Sequence, residues 1–171
     1  MKPPSDREPV VVTDTGPLIA LARSNDLGLL GKLFGEIIVP ESVSQELCLG
    51  QPLPGNASLN AAFSKTDSRF RIEAAPEIDP LLAEVLDPGE AEAIAIATRQ
   101  HRLLLIDERK GRRVARKHGV RIIGTGSVLI AAKKYGHLEN VREPLARLRS
   151  CGYRLSDTLC RKILELAGEV Q

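Results

Sequence analysis

The sequence predicts an α/β fold: a central parallel sheet of about four to five strands, covered by helices on both sides. Two observations carry this. Short apolar, β-branched runs alternate with helix-like segments along the chain, the pattern of a parallel sheet with crossover helices. The runs Val10-Val11-Val12-Thr13 and Leu103-Leu104-Leu105-Ile106 are continuous rather than alternating, as strands buried on both faces are. The length of 171 residues suits one domain, read as residues 9–171 after a polar, flexible leader at 1–8.

The elements follow in order. Val10 to Thr13 is the first strand, and Asp14-Thr15-Gly16-Pro17 gives a turn and helix start, with Pro17 suited to a first helical turn. Leu18 to Ala22 continues as a buried helix, and Leu27 to Phe34 is a second short one. Glu36 to Val39 is a strand closed by Pro40, and Glu41 to Leu47 is a helix with Val43 and Leu47 on one face. Gly50 to Ser68, rich in Gly, Pro, Asn and Ser, reads as a loop or a helical insert. Phe70 to Glu73 has the alternation of an edge strand.

Asp87-Pro88-Gly89-Glu90 is a helix entry, with Asp as cap and Pro in the first turn. Leu103 to Ile106 is a central strand, Arg109 to Lys117 a basic helix, and Val120 to Ile123 a further short strand. Thr125-Gly126-Ser127 opens a helix through Lys134, and two more helices, about Glu139 to Arg149 and Ser156 to Gly168, finish the chain.

Composition excludes several classes. No apolar stretch approaches the roughly 18–20 residues that span a bilayer, and the N-terminus lacks an apolar signal region, so a cytoplasmic protein is expected. Cys48, Cys151 and Cys160 have no metal-binding spacing and read as free thiols. His101, His118 and His137 read as surface residues. There is no P-loop, no complete dinucleotide fingerprint and no nucleophile elbow.

What remains is a set of acids. Asp14 and Asp107 close two doubly buried strands, at the sheet edge where ligands of parallel α/β folds bind. Glu90 shares a helical stripe with Ala93, Ile94 and Ala97, and a buried carboxylate needs a partner. Glu92 lies roughly 200° round the helix from Glu90, facing solvent or a basic neighbour. Converging carboxylates without His or Cys suit a hard cation such as Mg²⁺. From Arg99 to Arg121 basic residues dominate, which fits either a polyanion steered toward such a centre or a solvated helix face.

The segments Val-Thr-Asp-Thr-Gly-Pro-Leu-Ile-Ala-Leu, Val-Pro-Glu-Ser-Val-Ser-Gln-Glu-Leu, Asp-Pro-Gly-Glu-Ala-Glu-Ala-Ile-Ala and Leu-Leu-Ile-Asp-Glu-Arg-Lys-Gly-Arg-Arg-Val-Ala, in that order, resemble a PIN domain, and more narrowly the DUF3368 group, similar to VapC toxins. The resemblance covers roughly Val10 to Gly168. It implies a three-layer PIN-like α/β/α fold and an Mg²⁺- or Mn²⁺-dependent ribonuclease, the toxin of a toxin–antitoxin pair. It implies Asp14, Glu46, Glu90 and Asp107 as catalytic and metal-binding acids, with Glu where the family usually has Asp at the third position. The choices of Glu90 over Glu92 and of Asp107 over Glu108 are set by the alignment and change with slippage. Arg109, Lys110, Arg112 and Arg113 are the expected RNA-backbone contacts. RNA, a small cognate antitoxin and a second copy of the chain are the implied partners. The alternatives are a non-catalytic module of the same fold and a phosphatase of the haloacid-dehalogenase type, although Gly16 stands where the latter needs a second Asp.

Overall fold

The computed structural model describes residues 9–66 and 68–169, so the expected leader at 1–8 lies outside the described residues. Five strands form one parallel sheet: β1 (Val10–Thr13), β2 (Glu36–Pro40), β3 (Phe70–Glu73), β4 (Leu103–Leu105) and β5 (Ile122–Ile123). Their spatial order is β3-β2-β1-β4-β5. The register pairs Val11 with Ile37 on one side and with Leu103 on the other.

The continuous apolar runs are explained by two cores, one on each face of the sheet. Val11, Ile37, Val39 and Leu105 point into the first core, and Val12, Ile38, Leu104 and Ile106 into the second. Successive strand residues face opposite ways, so a strand covered on both sides must be apolar throughout. The first face is covered by α1 (Thr15–Arg23), α2 (Gly28–Leu33), α3 (Glu41–Glu46) and α4 (Asn56–Ser64), together with α8 (Thr125–Lys134), α9 (Arg142–Ser150) and α10 (Asp157–Leu166). The second is covered by α5 (Pro80–Val85), α6 (Pro88–Gln100) and α7 (Arg109–Lys117).

Most expected elements are present. Asp87 caps α6 as expected, accepting from the Glu90 N–H at 2.8 Å with Pro88 in the first turn. β3 is the outer strand beyond β2. The stretch from Gly50 to Ser68, expected as a loop or a helical insert, contains the helix α4, held by buried Leu59 and by Asn56, whose amide donates to the carbonyls of Cys48 and Gln51. Tertiary packing supplies what local periodicity lacks there. Helix α5 was not expected, although Asp79 caps it through the Leu81 N–H and Pro80 opens it.

The strand order sets the place of the site. The chain moves outward from β1 to β2 and β3, then returns to the other side of β1 for β4 and β5. The order reverses between β1 and β4, and the carboxyl edge of the strands at such a switch point is where open parallel α/β sheets bind ligands.

Candidate active site

Asp14 and Asp107 stand at that edge, at the carboxyl ends of β1 and β4. Asp14 directly follows β1, and its N–H donates to the Leu105 carbonyl at 3.0 Å, extending the β1–β4 ladder by one residue. Ile106 does the same toward Ile123 at 3.0 Å, which carries the chain straight to Asp107.

Asp14 occupies the N-cap position of α1, yet its side chain makes no cap hydrogen bond. A simple capping role therefore does not account for it. The residue is only 7% exposed. Burial pushes its carboxyl up to about 7; the nearby Thr15 N–H opposes this, and the charges of Glu90, Asp87 and Glu46 add to it.

Glu90, in the first turn of α6, is 5% exposed, and its Oε1 is buried without a hydrogen-bond partner. Burial, followed by the charge of Asp87, raises its carboxyl above the usual range. Gly111 of α7 lies directly over it: a β-carbon there would sit 2.7 Å from Glu90 Oε1 and 2.5 Å from Ile106 Cδ1. Only glycine lets α7 approach so closely.

Glu46 ends α3 and is exposed, but it reaches the same group. Its Oε2 accepts from Thr15 Oγ1 at 2.5 Å, one residue from Asp14. Its Oε1 lies against Gly89, one residue from Glu90, where a β-carbon would stand 2.9 Å away. From the residues alone Glu46 carried little signal; the packing of α3 against α6 brings it in.

Asp107 is half-buried and richly hydrogen-bonded. The Thr125 N–H donates to its Oδ1 at 2.9 Å and Thr125 Oγ1 to its Oδ2 at 2.5 Å. The Tyr153 hydroxyl donates to Oδ2 as well. Burial and then the charge of Asp107 push the Tyr153 phenol up, so it stays a donor. Neither Thr125 nor Tyr153 stood out in the sequence. Thr125 had a readable signal, a polar residue at the carboxyl end of a strand; Tyr153, 46 residues beyond Asp107, had none.

The two neighbouring glutamates serve other ends. Glu92 does not face solvent or a basic residue: its Oε2 accepts from the Ser42 N–H at 2.9 Å and its Oε1 from Ser42 Oγ at 2.6 Å. It thereby satisfies an orphan donor in the first turn of α3. Glu108 caps α7 toward the Lys110 N–H. Of each pair, Glu90 lies beside Ile106 and Gly111, and Asp107 lies at the end of β4 beside Thr125.

The basic stretch divides between two ends of the sheet. Arg109, Lys110 and Arg113 are exposed around the N-terminal half of α7, near the acids. Arg112 is half-buried and donates from Nη1 to the Ile106 carbonyl at 2.8 Å, beside Asp107. Arg102, His118 and Arg121 lie at the opposite edge, with His101, around a cavity of about 410 Å³. The stretch is therefore not a single surface facing the acids.

Whether a divalent cation suits the acids can be judged from the donors. All are hard carboxylate oxygens, Glu90 Oε1 has no partner, and like charges crowd Asp14. Each of these costs is one a hard dication relieves. Among the described residues no three His, Cys, Asp or Glu side chains converge on one coordination point, since Glu46 turns to Thr15 and Asp107 to Thr125 and Tyr153. The donor chemistry fits; the arrangement is that of separate acids at one edge of the sheet.

Residues 10–169 match the family DUF3368, a PIN domain. The chain belongs to this PIN-domain family. The PIN domains include nucleases, and the five-stranded parallel sheet between helical layers is the PIN-like α/β fold. Among solved structures, this PIN domain is similar to a PilT N-terminus domain protein of the archaeon Sulfolobus solfataricus P2, at 15% identity and a TM-score of 0.49, covering 72% of this chain and 92% of that one. It is also similar to a domain of a functionally unknown protein of Methanocaldococcus jannaschii, at 21% identity and a TM-score of 0.47, covering 68% of this chain and 90% of that one. Among curated proteins, ribose-5-phosphate isomerase A of Chlamydia caviae is 33% identical over 110 residues, 60% of this chain. The matched region is 45% of the isomerase, so the chain spans less than half the length of that relative. Among the described residues no helix is long and apolar enough to cross a membrane.

Proposed function

We propose that this PIN domain is an Mg²⁺- or Mn²⁺-dependent ribonuclease and the toxin of a toxin–antitoxin pair. The observation that carries the reading is the pairing of Asp14 and Glu90: two buried carboxylates, mutually repelling, at the switch point of a parallel sheet. A protein keeps such groups where a cation or a reaction uses them.

Asp14, Glu90 and Asp107 would hold the ion, with Glu46 completing the set directly or through water. When bound, the ion supplies the Lewis acidity that acidifies a water and offsets charge on the scissile phosphate. Asp14, with its carboxyl pushed up to about 7, holds a proton near neutral pH and releases it when positive charge arrives. Arg109, Lys110 and Arg113 bind the RNA backbone from the exposed end of α7. Arg112 supports them from its bond to the Ile106 carbonyl. A small antitoxin that covers the acids and a second copy of the chain are the proposed protein partners.

Hydrolysis of RNA with and without Mg²⁺, by wild type and by Asp14→Asn, tests the reading. Cleavage that needs the metal and is lost in the variant supports it; equal cleavage by both proteins refutes it. The separation of the acids favours one second reading, a non-catalytic module that binds RNA or a partner. Calorimetric titration separates the two, since the nuclease takes up Mn²⁺ and loses it on Asp107→Asn, whereas the module binds none.

A further inference from the structure

Asp107 differs from the other acids in the number of donors around it. A carboxylate has about four lone-pair sites. Three donors occupy Asp107: the Thr125 N–H on Oδ1, and Thr125 Oγ1 and the Tyr153 hydroxyl on Oδ2. Gly124 closes the space beside Oδ1, where a β-carbon would stand 2.8 Å away. Little freedom of rotation is left to the carboxylate.

The donors come from separate elements. Thr125 is the first residue of α8. Tyr153 follows α9, and its N–H donates to the Leu148 carbonyl at 3.0 Å, closing the end of that helix. Helix α9 is in turn fixed to the first half of the chain. Arg147 Nη2 lies 2.6 Å from Asp26 Oδ1, on a carboxylate whose side chain is 5% exposed, and Arg147 Nε donates to the Ser24 carbonyl at 3.1 Å. The phenol thus reaches Asp107 from a segment that is itself held in place.

We propose that Tyr153 is a positioning residue: with Thr125 it fixes the carboxylate of Asp107 at the carboxyl edge of the sheet, so that of the four lone-pair sites the one on Oδ1 not taken by the Thr125 N–H is left for a cation. Helix α9, through the segment after it that carries Tyr153, is then part of the construction of the site, beyond its packing in the core. The effect on a metal rests on the reading of Asp107 as a ligand. Partners that orient a metal's ligands typically change affinity by about 10–100-fold when removed.

The chain contains no Trp and two Tyr, of which Tyr135 is exposed. In Tyr135→Phe, emission from the remaining tyrosine therefore reports on Tyr153 alone. Addition of Mg²⁺ is expected to change that emission, and Asp107→Asn in the same background to abolish the change. Tyr153→Phe is expected to raise the Kd for Mn²⁺ by about 10–100-fold. It should lower kcat for RNA cleavage with little change in KM. Thr125→Val, which removes the second hydroxyl donor to Oδ2, shifts Mn²⁺ affinity in the same direction. Wild-type Mn²⁺ affinity in Tyr153→Phe, with emission indifferent to Mg²⁺, overturns the proposal. If the wild type itself takes up no Mn²⁺, the metal reading fails, and a thermal-denaturation cycle of Tyr153→Phe, Asp107→Asn and the double variant decides positioning separately. Non-additive shifts uphold the contact, and additive shifts overturn it.

Discussion

Asp14 and Asp107 stand at the ends of adjacent strands, and the protein surrounds them in opposite ways. Asp107 receives three hydrogen bonds, from Thr125 and Tyr153. Asp14 is buried, makes no cap bond and is raised by burial and by the charges of Glu90, Asp87 and Glu46. One acid is held in a fixed orientation by three donors, while the other is buried among like charges that a cation would offset. On the proposed metal reading, a site that divides these tasks would be ordered in advance and would still gain free energy from a cation. On that reading, Asp14 and Glu90 are the half that a cation would relieve, and Asp107 the half held in orientation.

The largest effect that could break this contrast is catalytic. Asp14→Asn is expected to reduce Mg²⁺-dependent RNA cleavage by at least about 100-fold, beyond the loss typical of a supporting contact. A quantitative assay of cleavage rates at saturating Mg²⁺ measures it, and a loss of only a few-fold would remove Asp14 from the centre of the site.

Stability against pH comes next. The Asp14 carboxyl lies at about 7 in the folded protein against an ordinary 3.8. Between those values the folded state holds more protons than the unfolded one, so stability falls as pH rises from about 4 to about 7 and levels off above. The span corresponds to at most about 4 kcal/mol. In metal-free protein Asp14→Asn should therefore be more stable than wild type at pH 8 and nearly equal to it at pH 4. Urea denaturation at the two pH values checks the sign; a variant less stable at pH 8 would contradict the burial of an unneutralised charge.

Gly111→Ala sharpens the same half of the site. The added methyl meets Ile106 and Glu90 Oε1. It should destabilise the fold by about 1–3 kcal/mol through overpacking, measured by the shift in denaturation midpoint, and weaken Mn²⁺ binding by displacing Glu90.

The smallest expected effect is a control. Glu92→Ala removes two hydrogen bonds to Ser42 and should cost about 1 kcal/mol. Calorimetry should find its Mn²⁺ affinity unchanged. A matching loss of affinity would mean that Glu92, rather than Glu90, belongs to the site.

How far the molecule was legible in its sequence follows the same division. β1, β2 and β4 were readable because burial on both faces demands unbroken apolar runs, as in Val10 to Thr13. Asp14 and Asp107 were readable because they end such runs. Glu90 over Glu92 followed from helical spacing, and the structure gives Glu92 its own partner in Ser42. α4 was left open because few of its residues are buried, and its position depends on contacts such as those of Asn56 with Cys48 and Gln51. α5 carried a readable Asp79-Pro80 entry like that of Asp87-Pro88, in a segment too short for periodicity to mark. Tyr153 could not be found locally, because its role arises only when the C-terminal helices fold back onto the sheet.

The central claim, that Asp14 and Glu90 are buried at a cost relieved by a divalent cation, is tested most directly by thermal melting at pH 8 with and without Mg²⁺. Wild type should gain stability on addition of the ion, and Asp14→Asn, already more stable without it, should gain little. Equal gains in both proteins, or no gain in wild type, would contradict it.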